Sequence, residues 1–291
     1  MELIKAIILG IVQGVCEFLP VSSSGHLAIT RKLLNLNTDT GLLFDIMLHI
    51  GTLVAIFVVY KKDVLQLIKE GFTILGLWIR NAFVFIGSIF NKNLKSKIKP
   101  VITTPYRRFV MLVIVSTIPT GILGILLKDF IEYASAGALI PGIFLLVTGI
   151  ELLIADRLKT GEITEENATY KSAGIIGIAQ GFATLPGISR SGTTITACLA
   201  CGFDKTFAVK YSFIMSIPAI LGSMVLELKD FTTLDITKAD LYSYIVGTIV
   251  AAVVGYVCIL TMLKIVRGKK FFGFSIYCFI VGTLAIVFSL I

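Results

Sequence analysis

Two short stretches concentrate the chemistry of this sequence: three serines ahead of an imidazole, Ser22-Ser23-Ser24-Gly25-His26, and an arginine set among hydroxyls, Ser189-Arg190-Ser191-Gly192-Thr193-Thr194. A guanidinium fork beside hydroxyl donors and the free N–H groups of a helix start suits a phosphate anion. Hydroxyls placed just before a histidine offer a nucleophile and a general acid or base, which phosphoryl transfer could use. Taken singly, each serine also reads as a helix cap or a hinge. Gln13 and Glu17, four residues apart, share one helix face. Glu17 and Arg190 are ionisable groups within apolar sequence, where each costs at least about 2.5–3.5 kcal/mol on insertion scales. They are functional candidates and candidate counter-charges for each other, with a structural ion pair as the alternative. His49, the other of the two histidines, lies in an apolar run and reads as packing with a hydrogen bond.

The elements that position these groups are membrane helices. The chain of 291 residues is 56% hydrophobic and 15% charged, with a mean hydropathy of +0.93, whereas a soluble domain carries roughly 25% charged residues. Apolar runs long enough for about 30 Å of hydrocarbon give six spans: Phe44–Tyr60, Phe109–Leu127, Ala138–Ala155, Phe207–Leu226, Tyr242–Val266 and Phe271–Ile291. Two further stretches, 4–34 and 173–202, are each broken midway by Pro, Gly and serines. Neither half of either is long enough to span, so both read as re-entrant helix hairpins. The expected fold is therefore an all-α integral membrane protein of six transmembrane helices and two re-entrant hairpins.

Ten basic residues against Asp63 and Glu70 between Lys61 and Arg108 account for the whole net charge of +8. Such a block between spans marks the cytoplasmic side and not a nucleic-acid groove, so no nucleic-acid partner is expected. Alternating the spans from this anchor puts Lys128–Gly137 and Glu227–Leu241 outside, Asp156–Lys171 and Lys264–Lys270 inside, and both termini outside. Gly71–Phe90 is apolar but carries Arg80 near its centre, and reads as a helix on the inner surface with its cations snorkelling to headgroups. A removable signal peptide is not expected, because Gln13 and Glu17 interrupt the first apolar run and no cleavage site follows. Five cysteines in apolar sequence argue against a disulfide framework, and Cys198-x-x-Cys201 lacks further ligands for a metal.

The hairpins resemble each other. GIVQGVCEFLPVSSSG at 10–25 matches GIAQGFATLPGISRSG at 177–192, with an offset of 167 residues at both Gln13/Gln180 and Gly25/Gly192. Three spans follow each hairpin, and an odd number inverts the second copy, so hairpin one enters from outside and hairpin two from inside. The chain divides into a first repeat, 1–155, a cytoplasmic connector, 156–172, and a second repeat, 173–291. Inverted repeats place their sites near the midplane, where the broken helices meet.

Glu17-Phe-Leu-Pro-Val-Ser-Ser-Ser-Gly-His26, with Gln13 ahead of it, together with Pro186-Gly-Ile-Ser-Arg-Ser-Gly-Thr-Thr194, resembles the signatures of the bacterial undecaprenyl-diphosphatase family associated with bacitracin resistance. The resemblance extends over essentially the whole chain. It departs in a longer basic segment after the first span and in Gln rather than Glu at position 13, which weakens any two-carboxylate metal site. The resemblance implies a phosphatase of the bacterial cytoplasmic membrane that removes the terminal phosphate of undecaprenyl diphosphate, regenerating the lipid carrier for cell-wall synthesis. It implies Glu17, Ser23, His26 and Arg190 as catalytic residues and Ser189, Ser191 and Thr194 as substrate-binding ones, and the polar Gln13, Ser22 and Ser24 of hairpin one join them as substrate-binding candidates. It also implies a divalent cation, Mg²⁺ or Ca²⁺, with Glu17 as its ligand. Either Ser23 or His26 would attack; the topology, with hairpin one entering from outside, puts the opening of the site at the outer face. The partners are then a polyprenyl diphosphate and membrane lipids, while the oligomeric state, a homodimer included, is not legible.

Two alternatives compete. A lipid-phosphate flippase or transporter would share the inverted-repeat architecture. The other class of membrane lipid phosphatases needs a late Arg with a nucleophilic His, and no histidine follows His49.

Overall fold

The computed structural model describes residues 2–34, 36, 41–90, 96–229, 237–268 and 271–290. Lys92, Lys95, Lys269 and Lys270, and residues 230–236 of the loop expected outside, lie outside the described residues. The regular elements of the described chain are all helices: α1 (Leu3–Phe18), α2 (Ser23–Leu33), α3 (Gly41–Val59), α4 (Lys61–Phe90), α5 (Pro105–Leu126), α6 (Lys128–Ser135), α7 (Leu139–Arg157), α8 (Tyr170–Phe182), α9 (Arg190–Ala200), α10 (Lys205–Lys229), α11 (Lys238–Arg267) and α12 (Phe272–Leu290). It is a multi-pass membrane protein whose exposed apolar side chains, such as Ile118, Ile122, Val253 and Val257, form lipid-facing helix surfaces.

The two broken stretches are helix–break–helix units. α1 and α2 have 16 and 11 residues, and α8 and α9 have 13 and 11. At 1.5 Å per residue the longest of these reaches about 24 Å, short of a hydrocarbon core of about 30 Å.

The packing follows the sequence repeat. α1 lies along α11, and its counterpart α8 lies along α5, so the first helix of each hairpin is held by the second expected span of the other half. Matching glycines permit both contacts. A Cβ at Gly10 would stand 2.5 Å from the Gly247 carbonyl oxygen, and one at its counterpart Gly177 would collide with that of Ser116. Small residues at a helix interface let backbones approach closely within a membrane.

The segment after α3 differs from expectation. A separate surface helix over 71–90 is replaced by one continuous helix, α4, that starts ten residues earlier at Lys61. Its opening turns are too polar to register as apolar sequence, yet Val64 and Ile74 are buried, and by length and composition α4 could itself cross a membrane. Its polar groups explain the early start: Asp63 pairs with Lys210 at 2.7 Å and accepts from Tyr106 at 3.0 Å, and Glu70 pairs with Arg107 at 2.7 Å. Arg80 donates to the Lys97 carbonyl at 3.2 Å. Lys210 also meets Glu165, and Arg108 donates to the Ala168 carbonyl, so the connector joins this polar end. At the opposite mouth of hairpin one, Arg31 is paired with Asp45. The expected loop after α5 contains the short helix α6.

Candidate active site

Each hairpin break is built by the local sequence. Leu19 takes an extended conformation ahead of Pro20, which ends α1. Ser22 then sits at φ +70°, the one non-glycine residue with positive φ among those described, and its hydroxyl caps α2 by accepting from Gly25 N at 3.3 Å. Holding a serine in that region costs about 1–3 kcal/mol, so the turn is imposed by its surroundings. In hairpin two Gly187 supplies the turn at φ +99°, where a Cβ would collide with the Pro141 carbonyl oxygen. Ser189 caps α9 by accepting from Gly192 N at 3.1 Å. Ser22 and Ser189 thus spend their hydroxyls on capping.

The next serines tie the two breaks together. Ser24 Oγ meets Gly187 N at 3.5 Å, and Ser191 Oγ donates to the Leu19 carbonyl at 3.3 Å. Thr148 of α7 steadies hairpin two from behind, donating to Gly187 O and accepting from Ser189 N, both at 3.0 Å.

Between the breaks sits the carboxylate of Glu17, almost fully buried. Arg190 Nη2 donates to Oε1 at 2.5 Å, and Ser23 Oγ donates to Oε2 at 2.7 Å. Gln13 Nε2 donates to Oε2 at 3.1 Å and to His49 Nδ1 at 3.1 Å. Two polar atoms of this cluster are buried without a partner, Arg190 Nη1 and Gln13 Oε1. A hydroxyl on a carboxylate that is itself held by a guanidinium and an amide is the arrangement of a nucleophile with its base and the groups that orient it.

The other expected site residues lie apart from this cluster. His26 places Nδ1 on the Ser22 carbonyl at 2.8 Å and Nε2 on the Tyr277 hydroxyl at 2.8 Å, with the two rings stacked 5.5 Å apart. A carbonyl only accepts, so Nδ1 carries a proton, and when the ring is neutral Tyr277 donates to Nε2. Thr194 donates to the Arg190 carbonyl and meets Ser212, facing its own helix and α10.

Sequence reasoning missed His49 as a member of the cluster, together with Tyr277 and Glu151. Glu151 accepts from Thr193 at 2.6 Å. His49 and Glu151 carried a signal, since an ionisable side chain inside an apolar span is a functional candidate by default. Nothing near Tyr277 in the sequence pointed to His26. Among the described residues, no group of three or more His, Cys, Asp or Glu is arranged to hold a metal ion.

A family model described as bacitracin resistance protein BacA matches residues 6–284, which include both hairpins and every residue of the cluster. The chain belongs to the BacA family. Relatives named undecaprenyl-diphosphatase share 44% identity in Methanosphaera stadtmanae, over 100% of this chain and 99% of the relative, and 40% in Methanobrevibacter smithii, over 100% and 99%. One from Alkaliphilus metalliredigens is 40% identical over 100% of both chains. The relatives thus align over the whole chain, connector and basic segment included.

Proposed function

We propose that this BacA-family protein hydrolyses undecaprenyl diphosphate to undecaprenyl phosphate and inorganic phosphate, recycling a lipid carrier of cell-wall synthesis. The names of its full-length relatives support the activity and substrate. The observation that carries the chemistry is the buried, unpartnered Nη1 of Arg190, a charged donor beside the Ser23–Glu17 pair. An unsatisfied donor of that kind is costly to bury and suits a phosphate oxygen.

In the mechanism, Arg190 keeps Nη2 on Glu17 and offers Nη1 to the terminal phosphate. Ser23 Oγ attacks the terminal phosphorus as Glu17 Oε2 takes its proton, and the bond to the bridging oxygen breaks, releasing undecaprenyl phosphate. Water then attacks the phosphoserine. Glu17, its first proton having passed to the departing undecaprenyl phosphate, removes a proton from that water and hands it to Ser23 Oγ, which leaves as the hydroxyl while inorganic phosphate is released. Ser23 is favoured as nucleophile over His26 because it touches the base, whereas both ring nitrogens of His26 are engaged elsewhere.

The residues present fit a hard divalent cation, Mg²⁺ or Ca²⁺: Glu17 with the unpartnered Gln13 Oε1 would hold it, completed by substrate oxygens and water. When bound, such an ion neutralises charge that develops on the phosphoryl oxygens. The two hairpins are re-entrant, and the polar end formed by Asp63, Arg107, Arg108 and Lys210 faces the cytoplasm of a cell membrane. The site then opens to the outer face.

Release of inorganic phosphate from undecaprenyl diphosphate by purified protein in detergent tests the reading. A transporter needs two compartments and would release none, so folded protein without phosphate release would overturn the hydrolase.

A further inference from the structure

His49 brings an imidazole to the cluster from α3, a helix that carries neither signature. Its protonation follows from Gln13. The Gln13 amide nitrogen faces both Glu17 Oε2 and His49 Nδ1 at 3.1 Å, and turning the amide over would set its carbonyl oxygen against a carboxylate. The nitrogen therefore donates to both neighbours. A ring nitrogen that accepts carries no proton, so neutral His49 holds its proton at Nε2. Among the described residues no acceptor lies against that Nε2–H, and 28% of the side chain remains open.

His49 Nδ1 lies 4.0 Å from Glu17 Oε1, the same oxygen that Arg190 Nη2 meets at 2.5 Å. One carboxylate oxygen thus has an unengaged donor on each of its two neighbours, Nε2–H of His49 and Nη1 of Arg190. A neutral donor adds a hydrogen bond to an anion without placing a further charge at membrane depth, where charge is expensive.

We propose that His49 is a substrate-binding residue, its Nε2–H donating to a phosphate oxygen of the diphosphate that Arg190 Nη1 also holds. The proposal rests on the diphosphatase reading and extends it to a residue outside both signatures.

The test compares wild-type protein with His49→Leu and His49→Gln in two measurements, hydrolysis of undecaprenyl diphosphate and thermal stabilisation by inorganic pyrophosphate. A glutamine amide can accept from Gln13 and still donate onward, whereas leucine can do neither. His49→Leu should raise KM by about tenfold, and His49→Gln should stay within about threefold of wild type. Pyrophosphate should stabilise wild type and His49→Gln but not His49→Leu. Unchanged KM and stabilisation in His49→Leu, or a glutamine variant no better than leucine, would overturn the proposal. If wild type releases no phosphate, the diphosphatase reading fails by itself, and pyrophosphate stabilisation still decides the role of His49. Should His49→Leu not fold, ¹⁵N-histidine spectra of wild type, with two histidines to assign, carry the test. The His49 Nε2 resonance should move on adding pyrophosphate, and a fixed resonance would reject the contact.

Discussion

Ser23 and Arg190 stand 167 residues apart, the offset that relates the two hairpins, and each is the first residue of its short helix. They close on opposite oxygens of one carboxylate, Ser23 on Oε2 and Arg190 on Oε1 of Glu17. Equivalent positions in the two repeats have diverged into a hydroxyl and a cation, and a single site lies between them.

In the proposed mechanism that shared carboxylate makes the three side chains one catalytic unit. Ser23→Ala and Glu17→Gln should each lower kcat by about 10³-fold or more, and the double variant should lose little beyond either one, as groups acting in one step are strongly non-additive. Steady-state phosphate release from the three variants checks this. Losses that multiply would separate Ser23 from Glu17.

Arg190→Lys should lose at least about tenfold in kcat/KM, roughly 1.4 kcal/mol, because an ammonium cannot hold Glu17 and a phosphate oxygen with one planar fork. Arg190→Ala should also lower the melting temperature, since it leaves the carboxylate of Glu17 buried and unpaired. Adding Glu17→Ala to that variant should recover part of the loss. Near-wild-type kinetics in Arg190→Lys would reject the clamp.

His26 and Tyr277 are joined by both a hydrogen bond and a ring stack. Tyr277→Phe keeps the stack and removes the hydroxyl. In a double-mutant cycle with His26→Ala, activity should show a coupling of about 0.5–3 kcal/mol. Strict additivity would mean that the tyrosine does not act through the imidazole.

Two glycines of α8 provide a contrast in stability. A Cβ at Gly177 collides with α5, whereas one at Gly174 meets nothing within 4 Å. Gly177→Ala should lower the melting temperature in detergent. Gly174→Ala should hold or raise it, as alanine favours a helix over glycine by about 0.5–1 kcal/mol. Equal effects would contradict the close packing of α8 on α5.

Sidedness can be read from single cysteines in a background lacking the five native ones. With an impermeant thiol reagent on intact cells, Ser24→Cys should label and Lys159→Cys should not, and substrate should protect Ser24→Cys. Labelling of Ser24→Cys only in broken cells would reverse the orientation.

The hairpins were legible because Pro, Gly and serine interrupt runs that would otherwise span, and the Glu17–Arg190 pair because an ion inside apolar sequence needs a partner. The caps were legible only as an alternative, since a serine before a helix start serves either role. His49 and Tyr277 were not placed at their partners, as those contacts depend on how distant helices cross and leave no local period. α4 was mistaken in its start because its first turns are stabilised by Lys210, Arg107 and Tyr106. Those partners lie far along the chain.

The embrace of α1 by α11 has a consequence for synthesis. About 220 residues separate the two helices, so at 5–20 residues per second the ribosome needs roughly 10–50 s after making α1 before its packing surface exists. For most of that interval Glu17 lacks Arg190, and for all of it α1 lacks α11. The polar half of hairpin one must wait in the translocon or at the lipid boundary, and the enzyme acquires activity only as its last helices emerge.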